Sequence, residues 1–153
     1  MTTKEEYYAW CLQKKRNDEW MRRMEKAMIR DRIREAWQIR IRDLQQQLPE
    51  QIRGDLDYRD FIEDKVENME FTYQLEPGPL SMSRRTEQEI KKVYTDIELP
   101  LLVLGKPLVM VKVRGNKAIT ERDIAYRFIG SEYTHPAAET AIAEALEAEG
   151  WTG

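Results

Sequence analysis

His135 is the only histidine of the chain, and it stands in a turn sequence just before Pro136. With a single cysteine, Cys11, it cannot complete the four-ligand shell of a zinc site. No serine or cysteine is set against it in a nucleophile–base pattern, so it reads as a surface turn residue. The acids Asp55, Asp57, Asp60, Glu63, Asp64, Glu67 and Glu70 are dense enough to suggest magnesium or calcium. The glycine and distal glutamate of a calcium loop are missing from the required positions. The cluster reads instead as a solvated helix face, or as a patch that meets the basic first segment. Lys112 sits on a strand-like run, where a metal-dependent nuclease would carry acid-x-Lys. The residue two before it is Met110, so the carboxylate that would hold the metal is absent. There is no G-x-G-x-x-G and no Walker pattern. The expectation is a protein that is not an enzyme, with no cofactor and no metal.

The chemistry that remains is that of interaction. Trp10, Trp20, Met21, Met24, Met28, Ile33, Trp37, Ile41 and Leu44 crowd the first segment. Aromatic residues, methionine and arginine are the types enriched at protein interfaces. The same residues would also serve as an ordinary helical core with methionine filling gaps. A second set, Lys106, Lys112, Arg114, Lys117, Arg122 and Arg127, supplies the cations that phosphate contacts require.

The element that must position the first set is long. Residues 1–48 contain neither glycine nor proline, and the first breaker is Pro49. Thr2 or Thr3 followed by Glu5 or Glu6 forms a capping box. Unbroken, the helix would reach roughly 65–70 Å, against a radius of gyration of ~15 Å for a compact domain of this length. It must fold back, pack on a second chain, or protrude. A break at Asn17-Asp18 would make it a hairpin. Its apolar residues recur at steps of three and four, but the step from Met24 to Ile29 is five, so the stripe shifts there.

After a turn at Pro49–Gly54, Asp57 is expected to cap a short helix with Phe61, Ile62, Val66, Met69 and Tyr73 inward. Glu76-Pro-Gly-Pro-Leu80 reads as a rigid loop. Thr86 and Glu89 open a third helix carrying Ile90, Val93, Tyr94 and Ile97. Leu101–Leu104 and Leu108–Val113 are strand-like and turn at Gly105-Lys106-Pro107. Thr120 is expected to cap a helix that runs to Ile129. A last helix, opened near Ser131 or Thr134, carries Ala138, Ala141, Ile142, Ala145 and Leu146.

Net charge is −3, distributed in blocks: +4 over residues 1–53, −6 over 54–80, +4 over 81–117 and −5 over 118–153. Blocks of alternating sign pair within a fold or between subunits, or steer a charged partner. The single cysteine excludes an internal disulfide and points to a reducing cytosol. The polar start, Met1-Thr-Thr-Lys-Glu-Glu, is unlike a signal peptide. The apolar run Leu99–Leu104 is far too short to span a bilayer.

Ile119–Gly130, a turn, and Ala137–Trp151 with its closing Leu-Glu-Ala-Glu-Gly-Trp look like a helix-turn-helix. This stretch resembles the winged-helix segment at the end of phage-type primase–helicases. The resemblance implies a phage or mobile-element setting, as an inhibitor or accessory subunit of a nucleic-acid machine. Physics opposes the simplest form of that reading. The last helix carries Glu139, Glu144, Glu147 and Glu149 and no basic residue, so it would repel a DNA backbone. DNA would have to meet the basic set instead; otherwise the motif is a protein-docking fold, which the charge favours.

The expected fold is α+β and mostly α. A helical arm or hairpin (1–48) precedes a compact domain (55–153) with a β-hairpin and a helix-turn-helix-like end. The expected function is that of a non-enzymatic cytoplasmic protein that self-associates and docks a protein partner. The alternative is a DNA-binding regulator or replication accessory protein of winged-helix type.

Overall fold

The computed structural model describes residues 3–69 and 87–151. Tyr73, the Glu76–Leu80 loop, Glu70 and Thr86 lie outside the described residues. The fold is a mostly helical α+β arrangement. Helix α1 (Lys4–Gln47) is a single helix of 44 residues with no break at Asn17. Gln13 Nε2 instead donates to Asn17 Oδ1 at 3.2 Å, one turn on within the continuous helix. The capping box is formed at Thr3: its hydroxyl accepts from the Glu6 N–H at 3.2 Å, and the Glu6 carboxylate accepts from the Thr3 N–H at 3.3 Å. Leu48 is extended (ψ 152°) and ends the helix, as expected for a residue before proline.

A 3₁₀ turn (Glu50–Asp55) leads to α2 (Arg59–Glu67), which buries Ile62 and Val66. Its N-cap is Tyr58 rather than Asp57. Asp57 has a different task, since its N–H donates to the Pro100 carbonyl at 2.9 Å. Residues 87–93 form α3, and Val93 is buried. Ile97 does not continue that helix. It opens β1 (Ile97–Val103), which pairs antiparallel with β2 (Lys106–Val113).

The hairpin expectation needs a correction, because the sheet has three strands in the order β1-β2-β3. The third strand is the segment expected to be helical. Thr120 caps only a 3₁₀ turn (Glu121–Asp123), and β3 (Ile124–Phe128) follows, antiparallel to β2. Ile124, Ala125 and Phe128 fit a helical period, but Ile124, Tyr126 and Phe128 fit alternation equally well. Isoleucine, tyrosine and phenylalanine suit a pleated surface, and β2 offers an edge to pair with. The helix-turn-helix-like pair is therefore absent: residues 119–151 fold as a turn, a strand and one helix, α4 (Ala138–Ala148). That helix has Ala137 as its N-cap, with no side-chain cap from Ser131 or Thr134.

One face of the sheet carries the core. Ile97, Leu99, Leu101 and Val103 of β1, Val109, Val111 and Val113 of β2, and Ile124 and Tyr126 of β3 are buried. They join one cluster with Ile29, Ile33, Trp37, Ile41, Leu44 and Leu48 at the end of α1. Ala138, Ala141 and Ala145 let α4 lie close against β3. Both outer strands are covered at a point. Leu56 bridges to Leu101, and Tyr126 and His135 exchange main-chain hydrogen bonds of 2.8 and 2.7 Å. Unpaired sheet edges invite aggregation, and these contacts shorten them. Pro100 tolerates its place in β1 because its carbonyl faces Asp57, so its missing N–H is on the side away from β2.

The arm is thus not a unit separate from residues 55–153. Its second half belongs to their core.

Candidate interaction surfaces

The nine candidate interface residues of α1 divide after Met28. Ile33, Trp37, Ile41 and Leu44 are at most 3% exposed. They pack in this chain's own core, so their expected place on an interface is corrected. Trp37 meets Phe61 edge-on, with ring centroids 5.2 Å apart and planes at 86°. A helix that packs on α2 and shares one core cluster with the sheet buries its stripe without a second chain.

Trp10, Trp20, Met21, Met24 and Met28 are between 45% and 60% exposed. The first buried residue of α1 is Ile29. Twenty-five residues, Lys4 to Met28, precede it, a length of roughly 37 Å at the helical rise. The step of five between Met24 and Ile29 is where the helix changes faces. At 3.6 residues per turn, the Met21-Met24-Met28 line lies about half a turn from the Ile33-Trp37-Ile41 line. The exposed end is ordered locally. Tyr7 stacks on Trp10 at 6.4 Å, and Lys14 Nζ lies 5.5 Å from the Trp10 ring. A hydrogen bond with the Cys11 side chain, then the charge of Cys11, hold the Tyr7 hydroxyl above its ordinary pKa.

The six candidate nucleic-acid contacts do not gather into one patch of open charge. Lys106 pairs with Glu149 at 3.3 Å, and Arg127 with Glu98 at 3.4 Å. Lys112 stands opposite Glu98 in the β1–β2 register. Arg114, Lys117 and Arg122 are exposed on the loop between β2 and β3. The acidic cluster behaves partly as expected. Glu63 of α2 receives a two-point contact from Arg34 of α1, at 2.9 and 3.3 Å. That contact, with Asp31 at 2.8 Å, raises the Arg34 pKa. Among the described residues, no three histidine, cysteine or acidic side chains are placed to hold a metal ion. His135 is half-buried at the sheet edge, with Nε2 3.1 Å from Glu144 Oε1.

One residue escaped the sequence reading. Arg40 is 2% exposed. Its guanidinium donates to the carbonyls of Asn116 and Arg114 and lies 5.5 Å from the Tyr94 ring. Burial lowers its pKa, against the pull of Tyr94, Asp43 and Asp123. Its position three after Trp37 and four before Leu44 puts it on the buried stripe, a spacing that would have found it.

Comparison with protein-family models, with curated proteins and with solved structures finds no match. No described helix is long and apolar enough to cross a membrane.

Proposed function

We propose that this chain is a non-enzymatic macromolecular-interaction protein that associates with itself and docks a protein partner through the first half of α1. One observation carries the reading: Trp10, Trp20, Met21, Met24 and Met28 are exposed on a helix whose first buried residue is Ile29. Isolated helices gain little stability from propensity alone and draw it from packing an apolar face. Contiguous exposed apolar surface on a protein marks an interaction site. The residue types are those that interfaces prefer.

The test is sedimentation of the purified chain at tens of micromolar, beside Met21→Asp and Met24→Asp. The native chain is expected to be a dimer or larger and both variants to shift toward monomer, with the near-ultraviolet circular dichroism of the buried Trp37 and Tyr126 unchanged. A native monomer overturns the reading. Duplex DNA binding with a steep salt dependence, weakened by Lys112→Ala and Arg114→Ala, would favour the DNA-binding alternative. The ion pairs on Lys106 and Arg127 and the acidic α4 weigh against that outcome.

A further inference from the structure

We infer that the exposed half of α1 pairs with the same segment of a second copy, antiparallel, in one particular register. The inference rests on the self-association proposed above and adds its geometry. Tyr7, Trp10, Lys14, Asn17, Met21, Met24 and Met28 follow one another at alternating steps of three and four. That is the spacing of a coiled-coil seam, apolar at both ends and polar at Lys14 and Asn17. The seam lies on the side of α1 away from its buried stripe, so a second helix can occupy it without displacing any of the described residues of the body.

Only one antiparallel alignment matches like with like along the seam. Antiparallel pairing can set Tyr7 level with the partner's Met24 and Trp10 level with the partner's Met21. Lys14 then meets the partner's Asn17, so the two polar positions fall together. At the flank, Lys4 comes beside the partner's Glu25, and symmetry makes that ion pair twice. Flanking charges of this kind choose orientation. The overlap also spans the exposed half of the helix: Lys4 is level with the partner's Ala27, just short of Ile29, where burial begins. A parallel in-register pair would place Lys14 on the partner's Lys14. An antiparallel pair shifted by one heptad would set Lys14 and Asn17 against the partner's methionines and Tyr7 against the partner's Asp31.

The test is dipolar spectroscopy on full-length chain with Cys11→Ser, spin-labelled through Glu5→Cys or, separately, Glu19→Cys. Both sites are exposed and lie behind the seam. In the inferred register the two labels at residue 5 are separated along the axis by roughly 30 Å, and those at residue 19 by roughly 10 Å. A parallel pair makes the two separations equal, as does an antiparallel pair slid one heptad toward the amino terminus, and a one-heptad slide the other way makes them differ by roughly 40 Å. Either result overturns the register while leaving self-association standing. A monomer by sedimentation, with no coupling at either site, overturns both. A second measurement avoids labels: Lys4→Glu should weaken association a few-fold, and adding Glu25→Lys should restore it. No loss on the first change, or no recovery on the second, counts against the placement.

Discussion

The guanidinium of Arg40, in the buried half of α1, donates to the main-chain carbonyl of Asn116, in the loop after β2. Its second nitrogen reaches the Arg114 carbonyl at 3.3 Å. Between these residues Gly115 lies so close to the turn after α3 that a Cβ would fall 2.5 Å from the Tyr94 carbonyl oxygen. The Gly115 N–H donates to Asp96 Oδ1 at 2.6 Å. Thus one arginine fastens the long helix to the loop that joins β2 to β3, where the charge can reach two oxygens at once. Arg40→Ala removes two charge-assisted bonds and the packing of a buried side chain, a loss of about 3 kcal/mol. Arg40→Lys keeps the charge but not the two-pronged donor and should recover only part of it. Urea denaturation measures both. A native midpoint in Arg40→Ala would remove this contact from the account of stability.

Two tryptophans of α1 should separate folding from association. Trp37 is 3% exposed against Phe61, so Trp37→Ala should cost about 3–5 kcal/mol of folding stability. Trp20 is 60% exposed. Trp20→Ala should leave the stability of the body within about 0.5 kcal/mol and act on self-association instead. Thermal melting with sedimentation on each variant reads the two effects. If Trp37→Ala melts like the native chain, or Trp20→Ala unfolds the body, the division of α1 at Met28 is misplaced.

The turn between β1 and β2 holds a strained residue. Leu104 has φ 55° and Gly105 φ 76°. Two successive left-handed residues form the turn that suits a two-residue hairpin, where asparagine followed by glycine is preferred. Leucine carries a steric penalty in that region, and at 64% exposure it recovers little by packing. Leu104→Asn is expected to stabilise the chain by about 1 kcal/mol, seen as a rise in melting temperature. A fall would mean that Leu104 makes a contact worth more than its strain.

The fold was legible where one signal dominated. The helical character of the first 48 residues, though not whether they break at Asn17, a capping box at Thr2 or Thr3, the stop at Pro49 and the hairpin around Gly105 all follow from local chemistry. The nature of β3 was not legible, because Ile124-Ala125-Tyr126-Arg127-Phe128 satisfies both periods and a partner edge distant in sequence decides between them. The division of α1 was half-legible. The step of five after Met24 announced a change of face, but only the sheet's position says which face is covered. Arg40 was hidden by its type, since arginine on a charged helix reads as solvated until its neighbours at three and four are weighed.

Tyr126 gives the fold an alkaline limit. It is 4% exposed on the core face of β3. Burial, with Glu121 and Glu139 adding to it, pushes its pKa from the ordinary 10 up to about 12. The folded chain therefore holds the phenolic proton more tightly than the unfolded chain does. Below about pH 10 the tyrosine is neutral in both states, and its contribution to stability is fully present. Between about pH 10 and pH 12 the unfolded chain ionises first and that contribution is lost. Tyr126→Phe has no proton to lose and should show a shallower decline over that window. Lysines titrate in the same range, so the informative quantity is the difference between native and variant urea midpoints at successive pH values. That difference should be flat below pH 10 and move in favour of the variant above it. Parallel curves throughout would mean that the Tyr126 hydroxyl reaches solvent in the folded state.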